Sequence, residues 1–401
     1  MHGAGISRST TYGGERIAEY RDDFRTRRGG VDLPFAILTL ILLVMGVVTV
    51  FSSSFARAYY DLEQETGGNA AYYFTRQLVF AVGGVLAMFI CSNLPTVFYR
   101  RISWLVLGVS IVLLALVPII GVSAGGAQRW ISLGFVRFQP SEIAKIGVVL
   151  VFAHMICMFG PKMTTFRYGI APFAVILAVI VGLLLLQPHI SASIIILGIG
   201  AVMMFLGGAR LRWFVGGAGV LAVAGVVVIT AFSHASSRIS AWLDPFADAT
   251  GKGWQTIQSL YAIGSGGLLG LGFGQSRQKY LYLPEEHNDF IFSVWCEEMG
   301  FIGALALVML FALLIIRGYW IALHCRDRYS ALVCAGLVTL LAMQVILNMA
   351  VCTNLVPCTG ISLPFFSYGG TALLIQMAEM GIILGISRKK GSTSGKMKRK
   401  P

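Results

Sequence analysis

Leu33-Pro-Phe-Ala-Ile-Leu-Thr-Leu-Ile-Leu-Leu-Val-Met-Gly-Val-Val-Thr-Val-Phe51 contains no charged residue. As a helix, a run of about 20 apolar residues crosses the ~30 Å hydrocarbon layer of a membrane. Outward from it the pattern repeats. Comparable runs begin near Gln77, Ile102, Ser141, Tyr168, Ile190, Trp213, Phe290, Ala331 and Phe365, ten in all. Of the 401 residues, 56% are hydrophobic and only 12% charged, with a mean hydropathy of +0.77. A soluble domain carries about 25% charged residues, so these charges are too few to cover a water-facing surface. The chain reads as an all-α polytopic integral membrane protein with ten transmembrane helices.

The net charge of +13 raises nucleic acid as a partner, but the basic residues sit in short clusters between apolar runs. Arg100-Arg101, Arg210 with Arg212, Arg326 with Arg328, and Arg388 to Lys390 are the examples. Nucleic-acid binding needs a contiguous basic face, which only the tail from Lys396 to Lys400 offers. Cytoplasmic loops instead carry the Lys/Arg excess of a membrane protein. With Met1 inside, the cytoplasmic segments hold 22 Lys/Arg and the outer segments eight. Both termini are therefore expected in the cytoplasm, which an even span count requires. Residues 1–32 read as a disordered cytoplasmic extension, 33–388 as the membrane domain, and 389–401 as a basic cytoplasmic tail. The seven cysteines lie mostly within or beside apolar runs with no C-x-x-C pair. They read as small buried hydrophobes, with only Cys352 and Cys358 near the outer face.

Two outer segments stand out. One runs from Gly121 to Pro140; the other, 233–288, is a large extracytoplasmic loop between helices 7 and 8. The second is too rich in aromatic residues for disorder (Trp242, Phe246, Trp254, Tyr261, Tyr280, Tyr282). Long ordered loops usually carry function. Within it, Trp254, Ile257, Leu260 and Tyr261 have the spacing of an amphipathic helix, expected to lie along the outer interface. The glycine-rich run Gly264 to Gly274 lacks the lysine-hydroxyl pair of a phosphate loop and reads as a turn that lets backbone approach a lipid or a helix.

Tyr282-Leu-Pro-Glu-Glu-His-Asn-Asp289 precedes the apolar run Phe290-Ile-Phe-Ser-Val-Trp295. Asp289 there is either a helix cap or a carboxylate placed at headgroup level to take a proton from a sugar hydroxyl. Glu142 and Lys145 open the fourth span, either as helix-start residues forming an i,i+3 pair or as part of an outer cluster with Arg129, Trp130 and Arg137. Positive charge on the outer face runs against the orientation bias, and an anionic headgroup such as a diphosphate would account for it. Asn348 and Glu379 are polar residues inside membrane runs, where they must face the bundle interior.

Taken together, three stretches resemble the SEDS family (shape, elongation, division and sporulation), whose members include FtsW, RodA and SpoVE. They are Gly125-Gly-Ala-Gln-Arg-Trp130 through Gln139-Pro-Ser-Glu142; Gln255 to Gly300; and Asn348 through Thr359-Gly-Ile-Ser-Leu-Pro-Phe-Phe-Ser-Tyr-Gly-Gly-Thr371. The likeness spans about Leu33 to Arg388. It implies a peptidoglycan glycosyltransferase that uses lipid II and undecaprenyl-diphosphate-linked glycan, beside a class B penicillin-binding protein transpeptidase and the division machinery. It also implies a place in the bacterial cytoplasmic membrane. Asp289 matches the family's proposed catalytic acid. Arg129, Lys145 and Lys279 are the expected diphosphate contacts, and Trp130, Glu142, His287 and Ser367 complete the expected substrate-binding set. A divalent cation, Mg or Mn, is implied by the resemblance only. Gly274-Gln-Ser-Arg-Gln-Lys279 and the polar N-terminal extension resemble the FtsW/SpoVE branch, hence division or sporulation. Three departures are visible: Asn288 where the family usually has Thr, His189 in Gln187-Pro-His-Ile-Ser191 where it commonly has Asp, and Glu379, which lacks an obvious family equivalent. The rival readings are a lipid II flippase, with Glu379 in a polar cavity, and a non-catalytic scaffold.

Overall fold

The computed structural model describes residues 29–60, 66–124, 127–132, 134, 137–219 and 239–388. The N-terminal extension up to residue 28 and the basic tail lie outside the described residues. Helix α1 is Leu33–Tyr60, α2 Tyr72–Asn93, α3 Thr96–Ile120, α4 Pro140–Phe159, α5 Ala171–Leu185 and α6 Ile190–Leu206. A helix in the long loop, α7, is Trp254–Ser265, followed by α8 Ile291–Leu323, α9 Arg328–Cys352 and α10 Gly370–Ser387. Eight helices among the described residues are long and apolar enough to cross a membrane, and α6 is a shorter apolar one. The span expected from Trp213 starts in a helical stretch, 211–219, and then passes outside the described residues. The chain is a multi-pass membrane protein.

Close packing builds the bundle where small residues let helices approach, as is usual in lipid. α2 and α10 meet this way: a β-carbon on Gly381 would lie 2.4 Å from the Met88 carbonyl oxygen. The ends of the fold also meet. The Gly29 amide donates to the Arg388 carbonyl at 3.0 Å. Asp32, left in the extension by the sequence reading, belongs to the fold. It caps α1 by accepting from the Phe35 amide and takes two bonds from Arg317 of α8, at 2.9 and 2.8 Å.

Two features were not expected. Between α3 and α4 a small antiparallel sheet forms from β1 (Val122–Ala124), β2 (Ala127–Ser132) and β3 (Arg137–Phe138), in the order β1-β2-β3. Its register pairs Val122 with Trp130 and Ile131 with Phe138. The eighth span, moreover, does not start simply at Phe290. Residues Ile291 to Glu298 are all buried, and Gly300 breaks the helix with φ +66° before the lipid-facing pattern begins at Phe301, which is 61% exposed. The glycine-rich run is the reason for the break. A β-carbon on Gly300 would come 2.2 Å from the Gly270 nitrogen, and one on Gly270 would strike the Glu298 carbonyl. What that run approaches is therefore a helix.

α7 forms where its periodicity places it, but its buried face is Thr256, Ile257, Gln258, Ser259 and Ala262, while Tyr261 is exposed. Ser259 Oγ donates to the Cys352 carbonyl at 2.7 Å and lies 2.7 Å from Ser293 Oγ. The helix docks on α8 and α9 through polar contacts, so the apolar stripe is not what seats it.

Candidate active site

The turn leading into α8 is held by ionic and backbone contacts. Glu285 adopts a left-handed conformation, φ +56°, and its carbonyl accepts from the Asn288 and Phe290 amides. Glu286 is fully buried and receives a two-pronged bond from Arg57 of α1, at 2.7 and 2.8 Å. His287 is buried with its ring 4.8 Å from that of Tyr73 and Nδ1 3.4 Å from the Glu286 carboxylate. Burial opposes ionisation of Glu286, but the bonds from His287 and Arg57 outweigh it and hold the carboxyl below its ordinary range.

Three consecutive main-chain carbonyls are then fastened. Tyr368 N donates to His287 O at 2.8 Å, Ser367 Oγ to Asn288 O at 2.8 Å, and Asn348 Nδ2 to Asp289 O at 2.8 Å. Asn348 also donates to Ile361 O at 2.6 Å, and the Cys352 thiol reaches Asp289 O at 3.6 Å. The C-terminal motif and α9 thus clamp the backbone of the turn. Cys352, expected near the outer face, is wholly buried in this clamp.

Asp289 is not a helix cap. Phe290 occupies that position and no side chain caps α8. Asn288 donates its side-chain amide to Glu285 Oε2 at 2.6 Å. With its backbone fixed, Asp289 has a half-buried carboxylate that accepts no hydrogen bond from the described residues. Burial and the nearby Glu285 charge push its pKa up to about 6, against the opposing pull of Arg129 and His287. A carboxyl group held near neutrality and left unbonded suits proton abstraction.

The segment facing this turn comes from the small sheet and the starts of α4 and α6. Arg129 on β2 donates to the Pro188 carbonyl at 2.6 Å, and its charge reaches both Asp289 and His189. Gln139 lies 3.2 Å from His189 Nε2, and Ser191 Oγ donates to the Thr359 carbonyl. Thr371 Oγ1 donates to Arg137 O at 3.1 Å. These bonds join the first outer segment to the C-terminal motif. Lys145, 3% exposed, pairs with Glu142 at 2.7 Å, and Glu379 on α10 lies within electrostatic reach of both. Trp130 is half-buried on β2.

Arg129, Glu142 and Lys145 therefore stand on one side of the site, with Trp130 next to Arg129 on β2. Lys279 does not. Its ammonium is enclosed, 2% exposed, and donates to Gly274 O at 2.7 Å, Glu298 at 3.0 Å and Ser52 Oγ at 3.2 Å. It holds the glycine-rich loop to α8 and α1 and has no donor to offer a diphosphate. The adjacent Glu297 does similar work, accepting from Ser276 Oγ, Arg277 N and Gln278 N. Ser367 and His287 likewise act through contacts that place Asp289: the Ser367 hydroxyl is engaged by Asn288 O and the Leu363 amide. Sequence reading missed Arg57 as the partner of Glu286 and Gly360 as the wall of the Asp289 carboxylate. The outer position of Arg57, against the charge bias, was the available signal for the first.

The family model described as "Cell cycle protein", of FtsW, RodA and SpoVE, matches residues 33–392. The chain belongs to the FtsW/RodA/SpoVE family. It is 38% identical over 366 residues to stage V sporulation protein E of Bacillus subtilis, covering 90% of this chain and 98% of that one. It is also 38% identical over 375 residues to a probable peptidoglycan glycosyltransferase FtsW of Trichlorobacter lovleyi, covering 93% and 94%. Among solved structures it matches, at TM-score 0.73 and 31% identity, a chain of a peptidoglycan synthase complex described as coordinating polymerization and crosslinking, covering 90% of this chain and 98% of that chain. It matches the rod shape determining protein RodA of Thermus thermophilus at TM-score 0.66 and 29% identity, covering 90% and 98%. The FtsW/RodA/SpoVE likeness thus runs through every element that builds the site.

Proposed function

We propose that this protein is a peptidoglycan glycosyltransferase that polymerises lipid II at the outer face of the bacterial cytoplasmic membrane, in division or sporulation. The observation that carries this is Asp289: its backbone carbonyl is anchored by Asn348 at 2.8 Å, while its carboxylate, raised to about 6, accepts no hydrogen bond from the described residues and lies within electrostatic reach of Arg129. The 4-hydroxyl of the incoming sugar gives its proton to Asp289 as the oxygen attacks the anomeric carbon. The bond to the departing undecaprenyl diphosphate breaks on the opposite face, so inversion requires the base and the phosphate-binding cations to lie on opposite sides of the sugar. Arg129 and Lys145 are the cations for that role. General-base assistance supplies about 10²–10⁴-fold of the rate.

The family resemblance implies a divalent cation. Among the described residues no group of three or more His, Cys, Asp or Glu side chains converges on a metal position. Among the described residues the protein's own donors make no three-ligand site for the ion, and no step here runs through one. Residues 29 and 388 meet at one end of the bundle, and the basic excess supports a cytoplasmic place for that end. The similarity to a chain of a polymerising and crosslinking complex supports a class B penicillin-binding protein as partner.

Purified protein with its transpeptidase partner and labelled lipid II tests the reading. Asp289→Asn is expected to lose polymerisation while remaining folded. Wild-type rates of glycan formation from that variant would refute the assignment, and transfer of labelled lipid between leaflets without polymer would establish a flippase.

A further inference from the structure

His189 stands at the start of α6, 6% exposed, with its backbone amide bonded to Leu184 O and its carbonyl accepting from Ser193. Among the described residues its ring has one neighbour of hydrogen-bonding character: Gln139 Nε2, 3.2 Å from the ring Nε2. The amide nitrogen of Gln139 can only donate, so Nε2 is the acceptor and the proton of the neutral imidazole resides on Nδ1. That Nδ1 is buried and has no partner among the described residues. An enclosed N–H without an acceptor costs about 1–3 kcal/mol, so its persistence calls for a ligand atom to receive it.

The surroundings define the class of that atom. Arg129 donates to the carbonyl of Pro188, the residue just before His189. Burial first, and then the charges of Arg129 and Lys145, push the imidazole down to about 3, so the ring is neutral at physiological pH. In the first turn of the 20-residue α4, the Ser141 hydroxyl is 1% exposed and also without a partner. The Arg129 guanidinium, an unpartnered N–H, an unpartnered hydroxyl and a helix N-terminus together favour an oxyanion. Glu142, the acidic side chain beside Ser141, already pairs with Lys145.

We propose that His189 Nδ1–H, with Arg129 and Ser141, binds an oxygen of the lipid diphosphate, making His189 a substrate-binding residue that fixes the leaving group opposite Asp289. This rests on the glycosyltransferase reading above and assigns the diphosphate subsite within it.

The test uses the full-length protein in detergent, with farnesyl diphosphate as probe and farnesol as the uncharged control. Histidine ¹⁵N spectra, with the His189 signal identified by its loss in His189→Asn, report the protonation of Nδ1 directly. The expected result is a protonated Nδ1 whose resonance moves on adding farnesyl diphosphate and not on adding farnesol. His189→Leu is expected to weaken farnesyl diphosphate binding about tenfold or more. His189→Asn, whose amide N–H can replace Nδ1–H, is expected to stay within about threefold of wild type. Asp289→Asn should bind the probe normally. If wild type polymerises lipid II but His189→Leu binds the probe as wild type does, or Nδ1 is unprotonated, the assignment of His189 fails alone. If wild type neither polymerises lipid II nor binds the probe, the parent reading fails and takes this one with it.

Discussion

Gly360 lies against the carboxylate of Asp289: a β-carbon at Gly360 would sit 3.0 Å from Asp289 Oδ2, and its φ is +62°. Any side chain here meets both a strained backbone and the reacting group. Gly360→Ala is expected to lower polymerisation about 10- to 100-fold, the scale of a small misplacement of a catalytic group. Thermal unfolding in detergent, unchanged to within a few degrees, would separate this from general loss of structure.

Asp289 must be ionised to accept a proton. Its pKa of about 6 means the rate should rise with pH through about 6 and level off above it, because the protonated form on the acid side is inactive. Glu285→Gln removes a like charge and should move the inflection down; Arg129→Gln removes an attractive one and should move it up. A pH–rate profile of each variant measures both shifts.

Asn348 is buried and feeds two carbonyls, Asp289 O and Ile361 O. Asn348→Leu leaves both without that donor, at about 1–3 kcal/mol for each group left unsatisfied. Chemical unfolding should show that loss, and activity should fall with it because Asp289 is no longer fixed.

Arg57 balances the buried charge of Glu286. Arg57→Met should destabilise by about 3 kcal/mol, the low end for stranding a buried charge, since Arg57 is itself partly exposed. The double variant with Glu286→Gln should recover much of it. The carboxyl is held below 4.5, so its stabilisation is present above that pH and lost as pH falls through the lower folded value. Unfolding midpoints of the four proteins at pH 7 form the cycle.

Lys279→Met and Arg129→Ala should behave differently. Lys279 is enclosed by Glu298, Gly274 and Ser52, so its loss should cost stability and leave KM for lipid II little changed. Arg129→Ala should raise KM with a small change in unfolding. Steady-state kinetics beside thermal melts distinguishes the two.

The spans were legible because lipid imposes length and apolarity on each helix, and these are local properties of sequence. Asp289 was legible as an acid placed before an apolar run, though its choice between cap and base was not. That choice depends on Ser367, Tyr368 and Asn348, which lie more than fifty residues away. Lys279 was misread for the same reason: its partner Glu298 hides in an apolar run 19 residues later, and pattern alone cannot pair them. Strands β1 and β3 are too short to show an alternating period, and Ala127-Gln-Arg-Trp-Ile-Ser132 of β2 does not alternate. The break at Gly300 came from contact with Gly270, which no local signal announces. His189 was visible as a departure from the family pattern, but its unpartnered nitrogen needed coordinates.

The hydrogen bond between residues 29 and 388 brings the first and last described residues side by side. A peptide bridge of a few residues would turn the membrane domain into a closed ring, from which new ends could be cut in an exposed loop. Fluorophores fused close to these two points would sit within transfer distance in the folded protein, and their separation would report its unfolding without touching the catalytic end.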